Sequence, residues 1–199
     1  MSIDGFKLDE FTSIFRQKGG ARSYLFMYMP FFPLDILDTG LDALELKQQG
    51  NLTKEQRDLL RTMSLMSFHV RATTMPESTI EELILNWQGS DFKVGGKRTY
   101  SDWTITFNVD SKYEIREDFE EWLDLISKFK DFRNDYGKMD KYMEHQTLYL
   151  LNGKGEKVST VTLIDAWPKS VGPVTLDYSN MDIAQFDVTF SYQYHKITK

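Results

Sequence analysis

Near the end of this chain, apolar and polar side chains take strict turns. Phe186, Val188, Phe190, Tyr192 and Tyr194 alternate with Asp187, Thr189, Ser191 and Gln193. A period of two belongs to a β-strand, whose successive side chains point to opposite faces. The pattern recurs at Thr99–Val109, where Trp103, Ile105, Phe107 and Val109 alternate with Asp102, Thr104, Thr106 and Asn108. Each strand therefore offers one face to a core and a small, polar face to water or a partner. Such strands also have edges that must be paired or protected.

The rest of the chain supplies more strands and a few helices. Phe6, Phe11, Ile14 and Phe15 fall near helical spacing before Gly19-Gly20, so Ile3–Lys18 reads as a short helix. Ser23–Phe32 is aromatic and reads as a strand. Leu34–Ser67 changes flavour to Leu, Glu, Gln and Lys, and Thr53-Lys54-Glu55-Gln56 matches a capping box. It reads as a helical insertion at about 34–67. Phe68–Ala72 is a strand, Met75-Pro76 breaks it, and Glu81–Trp87 resumes it; Gly89, Gly95 and Gly96 then mark an extended hairpin or arm. Ser111–Arg133 is the strongest helix, with Ile115, Phe119, Trp122, Leu123, Ile126 and Phe129 on one stripe and Asp110 or Ser111 as its cap. Gln146–Leu151 and Lys157–Ile164 flank the turn Asn152-Gly153-Lys154-Gly155 as a hairpin. Trp167–Pro173 reads as a rigid corner, Val174–Tyr178 and Ala184–Tyr194 as two last strands. The class is α+β with mainly antiparallel pairing, in a single domain spanning residues 1–199.

Composition narrows the function. The 199 residues include no cysteine, which excludes disulfides, thiolate zinc sites and cysteine nucleophiles. The net charge is −6, a poor match to a protein that grips nucleic-acid phosphates. No targeting signal and no apolar run long enough to span a membrane is expected. The three histidines, His69, His145 and His195, lack metal-ligand spacing and read as surface or interface residues. Gly96-Lys97 fails as a phosphate loop because Asp91 and Arg98 stand where glycine and a hydroxyl residue are needed. Carboxylate pairs such as Glu117-Asp118 read as the solvated face of a helix. No catalytic, cofactor or metal residues are expected, and the chain reads as a non-enzyme. The 14% aromatic content suits strands and large interfaces.

Several runs, in order, carry a family resemblance. They are Phe68–Pro76, with its Ala-Thr-x-x-Pro turn, Gly96–Phe107, the helix containing Phe119-Glu120-Glu121-Trp122, Ala166–Gly172, Leu176-Asp177-Tyr178 and Phe186–Phe190. Together they resemble the major tail tube proteins of contractile-tailed, T-even-type bacteriophages, over about Gly20–Phe32 and Phe68–Tyr194. The resemblance implies two packed antiparallel sheets forming a small barrel or sandwich beside a helix. It also implies homohexameric rings that stack, ring on ring, into the inner tube of a contractile tail, the conduit for DNA ejection. The implied partners are further copies of the chain, a sheath outside, and a baseplate and tail terminator at the ends. Genomic DNA would pass without specific binding. The implied location is the virion tail, assembled in the host cytoplasm.

On this reading Thr104, Thr106, Asn108, Thr189, Ser191 and Gln193 are candidates to face the lumen. Met75, Pro76, Lys93, Lys97 and Arg98 belong to a candidate inter-subunit arm. Trp103, Trp122, Trp167, Pro168 and Gly172 are structural. The insertion at 34–67 departs from a compact tube subunit, and an outer-surface position is expected for it. The alternatives are a tube subunit of a non-phage injection system, a tube-initiating baseplate protein, or, from another class, a ligand-binding or enzymatic β-barrel.

Overall fold

The computed structural model describes residues 21–33, 66–127, 139–179 and 181–199. The helix read at Ile3–Lys18 and nearly all of the insertion at 34–67 lie outside these residues. The described elements run β1 (Phe26–Met29), β2 (Val70–Thr73), β3 (Ser78–Trp87), β4 (Ser90–Tyr100), β5 (Trp103–Asn108), α1 (Glu114–Ile126), a 3-10 turn (Met139–Lys141), β6 (Glu144–Leu151), β7 (Lys157–Val171), β8 (Gln185–Ser191) and β9 (Tyr194–Thr198). All described strand pairs are antiparallel. Seven strands form one sheet in the order β1-β6-β7-β8-β5-β2, with β9 also on β7; β3 and β4 form a separate ribbon.

The long strand β7 organises the sheet. Lys157–Leu163 pairs with β6, while the other edge pairs first with β9, at Thr160–Ile164, and then with β8, at Trp167–Val171. Between those two stretches Asp165 adopts φ 53°, a left-handed conformation that a non-glycine residue holds only at a cost. The expected corner at Trp167–Pro173 is therefore displaced: the bend is at Asp165, and Trp167–Val171 continues as strand. The expected single strand Ala184–Tyr194 breaks opposite that bend, at Tyr192–Gln193, where the Gln193 N–H donates to the Ile164 carbonyl. The break lets β8 and β9 follow the two directions of β7.

Two further corrections concern loops. Residues 174–178 form no strand. Pro173 has no N–H to continue a ladder, and Asp177 instead accepts bonds from the Ser179 N–H and hydroxyl. Gly95 and Gly96 mark no turn; they sit inside β4. A Cβ on Gly96 would meet the Leu83 Cγ at 2.9 Å and the Glu81 carbonyl at 3.0 Å, so glycine admits the close approach at the bulge, whose extra residue is in β4. The turn is at Gln88-Gly89, both with positive φ, as a tight two-residue hairpin turn requires. Strand boundaries also shift: residues 66–69 are helical before β2, and Ser101-Asp102 separates β4 from β5.

The sheet coils round an aromatic core. Tyr28 of β1 meets Trp103 and Phe107 of β5 edge-on, with ring centroids 5.7 and 6.1 Å apart. Phe119 and Trp122 of α1 pack against Phe32, and both also reach Phe190. The helix stripe predicted from spacing is thus buried at Ile115, Phe119 and Trp122. Asp110 caps α1 as anticipated: its carboxylate accepts the N–H groups of Lys112, Glu114 and Ile115. Burial works against its charge, but these bonds outweigh it and hold its pKa below the usual value. Each core tryptophan satisfies its indole N–H, Trp103 on the Thr74 carbonyl and Trp122 on the Tyr142 carbonyl.

Among the described residues the coiled sheet does not close. Its end strands, β1 and β2, line a shared cleft with Tyr24, Phe26, Phe68 and Val70 on its walls. Gln146 fixes the chain next to this opening. It is fully buried, accepts from the Tyr28 hydroxyl and the Phe31 N–H, and donates to the Phe31 carbonyl. Gln146→Met keeps the volume but orphans those three groups, so it should lower stability by about 3 kcal/mol. Urea unfolding reads this out; a loss below about 0.5 kcal/mol would contradict the assignment.

Candidate assembly surfaces

The polar face of β5 and β8 is built by register. Thr104 stands opposite Thr189, Thr106 opposite Asp187 and Asn108 opposite Gln185. The alternate positions put Trp103 with Phe190, Ile105 with Val188 and Phe107 with Phe186, all of them buried. Core and outer face are thus two sides of one register, and a one-residue slip would exchange them. The outer groups bond to each other. The Thr104 and Thr189 hydroxyls lie 3.1 Å apart, and the Thr106 hydroxyl donates to Asp187 at 2.6 Å. On β5 and β8 this face carries one carboxylate, Asp187, and no cation.

Of the six residues read as lumen-facing, Thr104, Thr106, Asn108, Thr189 and Ser191 share this face. Gln193 lies beyond β8, in the break before β9. Asp187 and Gln185 complete the face and were passed over, although both fall in the same alternation. Gly172 locks β7 to the pair: its N–H donates to the Asp187 carbonyl at 2.7 Å, and a Cβ there would lie 3.0 Å from that oxygen. Beside the face, Lys169 is neutralised by Asp102 at 2.6 Å. Pro168 is buried against β8, and Trp167 meets Tyr142 edge-on.

The second surface is the β3–β4 ribbon. Met75 and Pro76 lie in its neck, Lys93 pairs with Glu82 at 2.9 Å, and the Arg98 guanidinium sits over Tyr100. Lys93 and Arg98, singled out from sequence, thus do local work, whereas the apolar side was overlooked. Past the bulge, Leu83 faces Val94, Leu85 faces Phe92 and Trp87 faces Ser90. These put Leu83, Leu85, Trp87, Phe92 and Val94 on one face, with Glu82, Ile84, Asn86, Asp91 and Lys93 on the other. Trp87 is 72% and Phe92 64% exposed. A two-stranded ribbon is marginal alone, and a contiguous apolar face of this kind marks an interaction site. The signal was present in sequence: Leu83 and Leu85 on one face flank Ile84 on the other, an unbroken apolar triplet in a segment too polar to be core.

The remaining geometry holds little chemistry. Among the described residues, no three His, Asp or Glu side chains stand close enough to hold a metal ion, and no helix is long and apolar enough to cross a membrane. His145 accepts the Asp165 N–H at the β7 bend. His195 stacks edge-on with Tyr100, and burial, then the Arg98 charge, lowers its pKa. Asp118 was read as part of the solvated face of α1, but it borders the buried stripe of Ile115 and Trp122 and is half-buried; burial first, and the charges of Glu121, Glu114, Asp110 and Glu117 second, push its pKa up to about 6.

That shift has a sign. The unfolded Asp118 loses its proton near pH 4 while the folded one keeps it to about 6, so stability falls as pH rises through this window and levels off above it. Asp118→Asn should therefore gain about 1 kcal/mol at pH 7.5, after allowance for solvent screening, and gain nothing below pH 4. Thermal melts across pH 3.5–8 compare the two chains; an equal difference at both ends would contradict this account.

Comparison with known proteins agrees with this geometry. Residues 31–198 match the family model described as phage tail tube protein. The tail tube protein gp19 of Enterobacteria phage T4 is 26% identical over 133 residues, covering 64% of this chain and 79% of that protein. The tail tube protein of Serratia phage KSP90 is 28% identical over 124 residues, covering 60% and 68%. Among solved structures, a chain of the anti-feeding prophage baseplate superposes with a TM-score of 0.58 at 13% identity, covering 91% of this chain and 97% of that one. A chain of the sheath–tube complex of the PVC extracellular contractile injection system gives 0.57 at 15% identity, covering 94% and 97%; at these identities the likeness shows a shared fold. The chain belongs to the phage tail tube protein family of contractile, T-even-type tails, and its role is that of a structural subunit of the tube.

Proposed function

We propose that copies of this chain close into homohexameric rings that stack into the inner tube of a contractile tail. The polar face of β5 and β8 lines the channel. The observation that supports this most is the in-register hydroxyl and carboxylate face, on which two hydroxyl donors are spent on neighbours. Thr104 bonds Thr189 and Thr106 bonds Asp187, so few groups are left to grip a phosphate. Asp187 and a net charge of −6 repel a polyanion. Such a wall suits a conduit through which DNA slides into the host cell.

The end strands β1 and β2 support ring closure, because the edges of a sheet pair readily with further copies. The ribbon of β3 and β4 is the inter-subunit arm, engaging through its apolar face, with Met75 and Pro76 in its neck and Lys93, Lys97 and Arg98 on β4. The sheath lies outside, and the baseplate and terminator bound the tube. Assembly takes place in the host cytoplasm. The small barrel of the fold becomes complete only when neighbouring copies occupy the open edges.

Sedimentation of purified protein with duplex DNA tests the conduit. The chain should pellet as large assemblies near physiological salt and leave the DNA in the supernatant. Thr104→Lys/Thr189→Arg assemblies should retain DNA, and release it as salt rises. Strong retention by the unsubstituted assemblies would contradict the channel lining.

A further inference from the structure

The β3–β4 ribbon is a sheet of its own, and among the described residues neither of its strands pairs with the seven-stranded sheet. It meets the body at its root, where Ser78 faces Tyr100 in the first pair. The hydrogen bonds there are long: the Ser101 N–H and the Tyr192 hydroxyl both donate to the Glu77 carbonyl at 3.4 Å. Bonds of that length are weak. Three rings close the joint instead. Tyr100 of β4, Tyr192 of the break between β8 and β9, and His195 of β9 form a triangle. Its centroid separations are 6.1 Å for the two tyrosines, 5.4 Å for Tyr100 and His195, and 6.1 Å for Tyr192 and His195. Tyr100 belongs to the ribbon, and the other two rings belong to the body.

His195 is the member of this triangle that gains a charge near neutral pH. Its Nδ1 is buried and has no hydrogen-bond partner among the described residues. In the neutral ring protonated at Nε2, that atom is a bare lone pair. Protonation turns it into a buried, charged donor with no acceptor, which costs far more. Tyr100 offers the cation little in return, because the Arg98 guanidinium already sits over that ring, 5.7 Å from its centroid. The other neighbours do not reverse this. Opposite His195 in β7 stands the apolar Leu163, and Lys196 of β9 falls on the other face of the strand, over Tyr194. The carboxylates at the joint, Asp102 and Glu77, bear on Tyr192, and Asp102 is paired with Lys169. Asp165 of β7 faces His145. On His195 itself, burial and then the Arg98 charge lower the pKa.

We infer that His195 is an acid-released clasp on the root of the ribbon: neutral, it closes the triangle with Tyr100 and Tyr192 and fixes the ribbon's angle to the sheet; protonated, it leaves the triangle and lets the ribbon pivot at Glu77-Ser78 and Tyr100-Ser101. This goes beyond the tube reading and stands on the geometry of one subunit. Its sign follows from linkage. The freed imidazole takes up its proton near the ordinary histidine value, about 6.5, and the clasped one only at lower pH. Protons therefore bind the open form better. The clasp is at full strength above that ordinary value. As pH falls below it the clasp weakens, by at most about tenfold per pH unit for one proton, and levels off once the clasped ring is protonated too.

The chain has no cysteine, so spin labels go only where cysteines are introduced. Ser90→Cys at the ribbon tip and Lys154→Cys in the β6–β7 turn, both exposed, read the ribbon's angle. Labelled chain diluted into unlabelled chain reports distances within one copy. With His195 intact, the distance distribution should be narrow at pH 7.5 and broaden at pH 5. His195→Phe keeps a ring and removes the proton site, so its distribution should stay narrow at both. His69→Gln/His145→Gln should broaden as the intact chain does. A distribution that ignores pH with His195 intact, or the same broadening in His195→Phe, would overturn the clasp. An NMR titration needs no substitution: the His195 ring and the Ser101 amide should share one midpoint below about 6.5. A Ser101 amide that does not follow His195 would also overturn the clasp. Each of these outcomes leaves the tube reading untouched.

Discussion

The register of β5 against β8 decides both the inside and the outside of this molecule. With Ile105 opposite Val188, the flanking pairs Trp103–Phe190 and Phe107–Phe186 fall into the core, where α1 and Tyr28 meet them. Burying a large apolar side chain contributes about 1.5–3 kcal/mol, so six of them hold the register firmly. The same register puts Thr104 beside Thr189 and Thr106 beside Asp187 on the far side. The face proposed to line the channel is therefore specified by the core, and a change that loosens the core also disorders that face.

The other half of the account concerns apolar surfaces and strand ends among the described residues. There the sheet coils but stops short of closure, with β1 and β2 as its end strands. The β3–β4 ribbon carries an apolar face into solvent, although a two-stranded ribbon is barely stable alone. The β7–β8 loop exposes a further apolar group. For a lone monomer these features are liabilities; on the proposed reading they are the surfaces that further copies cover. Family membership and the physical reading meet at this point.

Much of this was legible in the residues. Period-two alternation located β5 and β8, Asn152-Gly153-Lys154-Gly155 located the β6–β7 turn, and the Ile115, Phe119, Trp122 stripe located α1. The bend of β7 was not, because its mark is a single left-handed Asp165 and no glycine or proline stands there. Trp167-Pro168 and Gly172-Pro173 drew attention instead; yet Pro168 fits inside the strand, and Gly172 is small because the Asp187 backbone comes so close. The ribbon was recognised by its glycines, but its apolar face was not. Opposite Ile80–Glu82 the bulge places one extra residue in β4, between Gly95 and Arg98, and shifts the alternation of that strand alone, so the two strands do not share one count of two. Lumen candidates were legible as a pattern, but Gln193 shows its limit, since the chain changes partner strand-half just before it.

The central claim is that the hydroxyl and carboxylate face of β5 and β8 looks into a channel. A cryo-electron microscopy map of tubes assembled from the purified chain tests it most directly. The account predicts hollow six-fold tubes with Thr104, Thr106, Asp187 and Thr189 on the channel wall. A map placing those residues on the outer surface, or buried against a neighbouring subunit, would contradict it.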